Sequence, residues 1–118
     1  DIGGINWTLS AEEVYDETKK SHVIALFLVA NDESRSNVWS CEGTAELQLF
    51  HMDEEEKNIT RRFDFRFDCK NNRGGFESFY SLDDMDTYYF DYDCIHIGAK
   101  IAIRNVNGIR AIPKMNFS

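Results

Sequence analysis

Residues 22–30 read HVIALFLVA, and this uninterrupted apolar run decides the fold class. A run of this length suits either a buried strand or the core of a helix. Its β-branched and aromatic residues favour a strand, and so does the turn-forming Asn31-Asp32-Glu33-Ser34 that follows directly. We therefore predict a buried strand here and interpret the neighbouring segments as its partners.

The segments around this run alternate between apolar and polar side chains, as strands do. Residues 38–50 and 59–69 show this alternation most clearly, and residues 92–106 and 5–9 repeat it. In the second of these segments the apolar set is Phe63, Phe65, Phe67 and Cys69. Gly43 interrupts the first, and a glycine inside a strand indicates a bulge or a bend.

Three segments depart from the period of a strand. Residues 10–15 are interpreted as a weak strand or a loop, because a possible helix cap is followed by residues that favour extended chain. Residues 71–75 (NNRGG) have turn chemistry and predict a loop. Phe76, Phe79 and Tyr80 have helical spacing, which predicts one short helical turn packed on the sheets.

Together these elements predict an all-β chain. The expected architecture is an antiparallel β-sandwich of about seven to eight strands with one short helical turn. The sequence shows neither an alternation of strands with long helices nor an internal repeat. A length of 118 residues suits a single domain that spans residues 1–118.

The charge of the chain argues against two classes of partner. The formal net charge is −8 at pH 7. An acidic surface repels the phosphates of nucleic acids and the headgroups of anionic lipids, so we expect neither nucleic acid nor a membrane as partner. No apolar run reaches the length that a membrane span needs.

No motif in the sequence predicts catalysis, a cofactor or a metal ion. The acidic residues 81–93 fail the calcium-loop template, because the sixth and twelfth positions counted from Asp84 are neither Gly nor Glu. Cys94 and His96 could form a catalytic pair, but their acidic surroundings favour a structural role. A hydrolase that uses Asp84 or Asp91 is the enzymatic alternative. We expect no enzyme, no cofactor and no metal.

The cysteines indicate a reducing compartment. The chain has three, Cys41, Cys69 and Cys94. An odd count without a Cys-x-x-Cys pair argues against a disulfide framework and a zinc site, so we interpret them as buried, reduced thiols of a cytoplasmic or nuclear protein. Three Asn-x-Ser/Thr sequons, at Asn6, Asn58 and Asn116, leave a secreted context as the minority interpretation.

Four stretches, in this order along the chain, resemble the MATH (meprin and TRAF homology) domain. They are residues 3–7 (GGINW), residues 24–28 (IALFL), residues 39–49, and residues 75–79 (GFESF) with the alternating strand that follows. They are similar to the family's G-x-x-W strand, L-x-L-aromatic-L strand, W-x-C-x-A-x-x-x-L strand and G-[FW]-x-x-F segment. These patterns are most similar to those of the divergent nematode-type MATH domains of BTB/MATH adaptor proteins. The family's additional N-terminal strand is not found in this sequence.

The resemblance implies a TRAF-like sandwich whose shallow groove holds an extended peptide of a partner. By position, the implied peptide-binding residues are Val23, Ala45, Phe65, Asn72, Arg73, Gly74, Gly75 and Phe76. BTB-linked relatives recruit substrates to a cullin-based ubiquitin ligase, TRAF proteins bind receptor tails, and some deubiquitinases dock substrates. The first role is the one the resemblance favours, with a cullin scaffold contacted through a separate BTB domain. A structural self-association domain is the rival hypothesis.

Three of the implied groove residues differ from those of the better-known peptide binders. Val23, Ala45 and Gly74 are small where those relatives carry large aromatic residues. Aromatic anchors supply much of an interface's energy, so the resemblance does not extend to the Ser/Thr-rich peptides of those relatives. Arg73 leaves two interpretations open: it meets an acidic peptide, or it is simply a loop residue.

Overall fold

The computed structural model describes residues 4–31 and 39–107, which form eight strands and three short 3-10 turns. The strands are β1 (Asn6–Asp16), β2 (Ser21–Asn31), β3 (Ser40–Leu49), β4 (Ile59–Asp68), β5 (Arg73–Ser81), β6 (Phe90–Asp91), β7 (Cys94–Ile95) and β8 (Ile97–Asn107). The turns are Glu55–Lys57, Leu82–Asp84 and Thr87–Tyr89. The first sheet has the order β1-β2-β5, the second has the order β4-β3-β8, and β6 pairs with β7. All pairings are antiparallel, so the predicted fold class is confirmed.

The core lies between the two sheets and has the composition that the sequence predicted. From the first sheet, Leu26 and Leu28 are buried, and from the second, Leu47 and Phe67 are buried against them. The apolar face of β4 is confirmed as the inner face. Each large side chain that is fully buried contributes about 1.5–3 kcal/mol, so this layer stabilises the sandwich more than any polar contact does.

Strand β1 is continuous across residues that the sequence left between strand and loop. Residues 6–16 pair one to one with residues 31–21 of β2 in an unbroken register. The pairing places Val14 opposite Val23, and such cross-strand pairs of β-branched residues stabilise a ladder. The extended conformation of residues 10–15 therefore comes from the partner strand and outweighs the local capping pattern.

The bulge predicted at Gly43 is confirmed. The register between β3 and β8 shifts at Glu42 and Gly43, where Glu42 pairs with Asn105 and Gly43 pairs with Ile103. A Cβ at position 43 would lie 2.2 Å from the carbonyl oxygen of Ala102. The glycine is required because the backbone of β8 comes too close for any side chain.

The helical turn predicted around Phe76 is wrong, because residues 73–81 form strand β5. Between the pairs Leu26–Phe76 and Ile24–Tyr80, the single residue Ala25 of β2 lies opposite three residues of β5. This bulge changes the side-chain parity, so that Phe76 and Phe79 both pack against the core although they are three residues apart. The spacing that resembled a helix is the signature of a bulged strand.

The loop predicted over residues 71–75 is wrong for its last three residues, which begin β5. Two adjacent glycines are typical of a turn, but here they allow β5 to come close to its neighbours in the sandwich. Gly75 has a φ of +153°, and a Cβ there would lie 2.3 Å from the carbonyl oxygen of Leu26. The interpretation of Arg73 as a simple loop residue is also wrong, since it is the first residue of a paired strand.

Two further expectations are corrected. The long strand predicted over residues 92–106 is divided into β7 and β8, and Tyr92 lies in a turn with a φ of 59°. Cys41 is buried as predicted, but Cys69 and Cys94 are exposed because they lie in or beside loops at the ends of strands. The residues at 1–3, 32–38 and 108–118 lie outside the described part of the chain. Part of the turn after β2 and the sequon at Asn116 therefore fall there.

Across residues 4–31 and 39–107, no helix is both long and apolar enough to cross a bilayer.

The close approach at Gly43 gives a stability prediction with a matched control. We expect Gly43→Ala to lower the free energy of unfolding by about 1–3 kcal/mol, because the added methyl group meets backbone that cannot move independently. In Gly98→Ala the new methyl group would meet the ring of Phe50, a side chain that can rotate, at 2.9 Å. That control should lose less than half as much. Urea unfolding of both variants measures the difference, and equal losses would contradict the bulge.

Candidate functional site

One open edge of the sandwich is the outer edge of β5. β5 is the terminal strand of the first sheet and pairs only with β2 among the described strands. An edge strand presents a row of N–H and C=O groups that can pair with another chain. Asn72, the residue before the strand, fixes its start, because its backbone oxygen accepts from the N–H of Ala30 at 2.8 Å and its side-chain amide donates to the oxygen of Ala30 at 3.0 Å.

Beside this edge, β5 approaches β4, the edge strand of the second sheet. We give the name β4–β5 cleft to the surface where the two strands meet and define it by Arg61, Phe63, Gly74 and Phe76. The rings of Phe63 and Phe76 meet edge to face at 5.6 Å, and the guanidinium of Arg61 lies 5.8 Å from the centre of the Phe76 ring. A Cβ at position 74 would lie 3.0 Å from the ring of Phe63. This surface is therefore aromatic and is half-buried at Phe63, Gly74 and Phe76, and the Phe63 ring fills the space beside the glycine.

A groove of about 670 Å³ lies on the other side of β5, on the outer face of the first sheet. We call it the outer groove. Its apolar residues include Val14, Ala25 and Phe27, and its charged residues are Glu12, Asp16, Glu17, Lys19, Arg73 and Glu77. The guanidinium of Arg73 lies 3.9 Å from the centre of the Phe27 ring. The β1–β2 turn forms one wall, since the ammonium of Lys19 donates to the hydroxyl of Ser78 at 2.8 Å.

The outer face of the second sheet differs, because its charges are paired with one another. Arg62 binds Glu46 at 2.8 Å, and Arg66 lies 3.6 Å from Glu42. Arg104 donates to the hydroxyl of Thr44 at 2.9 Å and lies 3.8 Å from Asp64. The charged residues Arg62, Asp64 and Arg66 on the exposed face of β4 thus form cross-strand pairs. In the described part of the chain, the acidic groups Glu42, Glu46 and Asp64 of this face each have a basic partner.

The structure groups the predicted site residues into two sets. Asn72 and the first four residues of β5, Arg73, Gly74, Gly75 and Phe76, lie consecutively along the free edge. Val23, Ala45 and Phe65 are 0%, 0% and 6% exposed, so their side chains lie beneath the surface. Their assignment as peptide contacts stays a prediction, and in this structure they support the surface from within the packed interior.

Sequence reasoning missed four residues that shape these surfaces. Arg61 and Phe63 belong to the cleft, and Phe27 and Glu77 belong to the outer groove. Phe27 was hidden in an uninterrupted apolar run, where no alternation separates the two faces of a strand. The sequence did carry a signal for Glu77. The three-residue spacing of Phe76 and Phe79, on either side of it, also fits a strand with a bulge.

The histidine with the most contacts is structural. The side chain of His51 is fully buried, and its Nδ1 accepts from the backbone N–H groups of Asp53 and Glu54 at 3.2 and 2.9 Å. Because Nδ1 accepts, Nε2 carries the proton and donates to the carboxylate of Asp86 at 3.3 Å. The ring thus joins the β3–β4 loop to the loop after β5, and neither nitrogen is available as a catalytic base.

The acidic loop shows no catalytic arrangement. The backbone N–H of Tyr88, followed by the His51 ring, lowers the pKa of Asp86 below its usual value, which keeps this carboxylate ionised as a loop anchor. His96 lies 3.1 Å from Asp91, an exposed contact that uses its Nε2. Within the described ranges, no three residues among the histidines, cysteines and acidic side chains are grouped as a metal site would require.

Two facing antiparallel sheets with an accessible edge strand and an aromatic surface beside it define a β-sandwich domain. A family model, described as the MATH domain, matches residues 1–103. The chain belongs to the MATH domain family. The resemblance drawn from four short sequence patterns is confirmed, and the chain is a protein-interaction domain.

Two relatives from Caenorhabditis elegans support this placement. BTB and MATH domain-containing protein 38 is 29% identical over 120 aligned positions, which cover 98% of this chain and 30% of the relative. BTB and MATH domain-containing protein 36 is 30% identical over 73 positions, covering 59% of this chain and 23% of the relative. The chain thus spans less than a third of either relative's length.

The structural role of His51 leads to a prediction. We expect His51→Ala to lower the free energy of unfolding by about 2–3 kcal/mol, because two backbone N–H groups lose a buried acceptor. The matched control is His22→Ala, whose side chain is 58% exposed and lies beside Glu13 and Tyr15. It should change stability by less than about 0.5 kcal/mol. Urea unfolding at neutral pH compares the two, and equal stability of both variants would show that the His51 contacts contribute nothing.

Proposed function

We propose that this domain binds an extended segment of a partner protein along the free edge of β5. The segment adds a fourth strand to the first sheet, and its main-chain groups pair with those of residues 73–81. Alternate side chains of such a strand point to opposite faces of the sheet. One set therefore faces the β4–β5 cleft, and the other faces the outer groove.

The observation that carries the proposal is the position of this edge between two recognition surfaces. Main-chain pairing gives affinity without specificity, whereas side-chain pockets select the sequence. In the cleft, the rings of Phe63 and Phe76 and the guanidinium of Arg61 offer an aromatic and cationic surface. The glycines at 74 and 75 let β5 itself pack closely, since a Cβ at position 74 would meet the Phe63 ring and a Cβ at position 75 would meet the backbone of Leu26.

The wider role that we propose is substrate recognition for a BTB-linked adaptor of a cullin-RING ubiquitin ligase. What supports it is membership of the MATH family and the similarity to two proteins whose names combine BTB and MATH. A separate BTB domain would contact the cullin, and this domain would contribute no catalysis. The corresponding compartment is the cytoplasm or the nucleus. Asn58, one of the sequon residues, uses its side-chain oxygen to accept from the N–H of His51 at 2.7 Å, which favours an unmodified role.

Self-association is the alternative function, and the same feature favours it. The outer strands β1, β4, β5 and β8 each have one strand partner in their sheets among the described residues. A second copy could therefore pair with β5 in place of a peptide. Static light scattering on the purified chain distinguishes the two, since a monomer over a range of concentrations would contradict self-association.

The test of peptide binding uses an array of nine-residue peptides, the length of β5. We expect the array to yield binders, and Phe76→Ala to weaken them roughly tenfold because an aromatic contact at the centre of the site is lost. Tyr92→Ala is the matched control, since that ring is 96% exposed on the distant β6–β7 turn.

N-methylation of the selected peptides tests the pairing without changing the protein. Methyl groups on alternate amides should abolish binding in one register and leave it unchanged in the other, because only alternate amides face β5. Circular dichroism confirms that Phe76→Ala is folded. An array without binders, or binders that are indifferent to both changes, would refute the proposed function.

A further inference from the structure

The outer groove contains more acidic than basic groups. Four carboxylates (Glu12, Asp16, Glu17 and Glu77) face two cations (Lys19 and Arg73). Both cations are engaged, since Lys19 binds the Ser78 hydroxyl and Arg73 stacks on Phe27. No ion pair within 4.0 Å involves Glu12, Glu17 or Glu77 among the described residues, whereas the carboxylates on the outer face of the second sheet are paired.

The floor of the groove suits the stem of a long side chain. Ala25 is 2% exposed and forms the base beside Val14 and Phe27. Lysine and arginine bury their methylene groups on apolar surface while the charged end stays in contact with polar groups. The face of Phe27 is occupied by the guanidinium of Arg73 in a cation–π contact, so the stem of an incoming side chain would lie beside it on Val14 and Ala25.

The free edge of β5 is connected to the groove through Gly75. This residue pairs with Phe27, so it lies beside that ring on the sheet, and it has no side chain to cover the strand. Arg73 and Glu77, two residues before and after it, are both exposed. A long side chain from a segment on the edge would cross β5 at Gly75 and end among the carboxylates.

We propose that the outer groove selects a lysine or arginine side chain, so that the partner segment is basic at the position that crosses Gly75. This inference rests on the proposed function and specifies its ligand. It replaces the acidic peptide that Arg73 alone suggested, because the surroundings of Arg73 are acidic and its guanidinium is stacked on Phe27. The charge of the groove is complementary to a cation, and charge complementarity sets both specificity and association rate.

The experiment uses four sets of nine-residue peptides that differ only at the central position. That position is arginine, lysine, citrulline or glutamate, and the other positions are mixtures of uncharged residues. Citrulline keeps the shape of arginine without its charge. We expect the 118-residue chain to bind the arginine and lysine sets at least tenfold more tightly than the citrulline and glutamate sets in fluorescence polarisation.

Charge reversal in the groove tests the site itself. In the double variant Glu12→Lys and Glu77→Lys, the preference for a cation should disappear. The matched control is Glu42→Lys with Asp64→Lys on the outer face of the second sheet, which has the same net charge but leaves the groove intact. It should keep the preference, which excludes a general effect of the net charge. Thermal unfolding establishes that both variants are folded.

The outcomes separate this inference from the proposed function. If all four peptide sets bind equally, or the glutamate set binds best, the basic specificity is refuted while edge binding stands. If both double variants lose the preference equally, the outer groove is not its source and the inference is again refuted. If no set binds, the proposed function fails and this inference fails with it.

Discussion

The contact of Gly74 with the rings of Phe63 and Phe67 determines how the two sheets meet on the β5 side. A Cβ at position 74 would lie 3.0–3.1 Å from atoms of both rings, so they occupy the space that a side chain there would need. Phe67 in turn stacks on Phe65 at 4.6 Å, and Trp7 of the first sheet packs edge-on against Phe65 at 5.7 Å. The aromatic face of β4 thereby contacts both edges of the first sheet. A larger residue at position 74 would fill the β4–β5 cleft and separate the strands.

The two outer faces of the sandwich have different electrostatic character, although both carry many charges. On the second sheet, Glu42, Glu46 and Asp64 each have a basic neighbour on another strand. Such exposed pairs contribute little beyond solubility. On the first sheet, the carboxylates surround an apolar floor and lack such partners among the described residues. The groove contributes −2 to the net charge of −8, since four carboxylates face two cations there, and this excess lies beside the accessible edge.

Much of the fold could be predicted from the sequence because its strands are strongly patterned. The inner face of β4 and the bulge at Gly43 follow from alternation and from a single glycine, and both are confirmed. The conformation of β5 could not be predicted, because its bulge depends on pairing with β2, and local spacing alone suggested a helical turn. The continuity of β1 was missed for the same reason. Pairing with β2 fixes the extended conformation of residues 10–15, which their own sequence leaves undecided.

The candidate site was predictable only in part. The family resemblance located the segment from Asn72 to Phe76, which lies along one edge, but it also included Val23, Ala45 and Phe65, which are buried. Aligning a residue by its position in the family patterns assigns it to a strand, but it does not show whether its side chain is exposed. The outer groove could not be foreseen, because it combines β1, β2, β5 and a turn that are distant in sequence.

The proposed function depends on one edge of β5 being open to a partner strand. Amide hydrogen exchange along residues 73–81, read by NMR, tests it most directly. An open edge should give slow exchange for the amides that pair with β2 and fast exchange for the intervening ones, with the fast set becoming slow when an array-selected peptide is added. Slow exchange of every amide of β5 in the chain alone would contradict the account, because the edge would then already be covered.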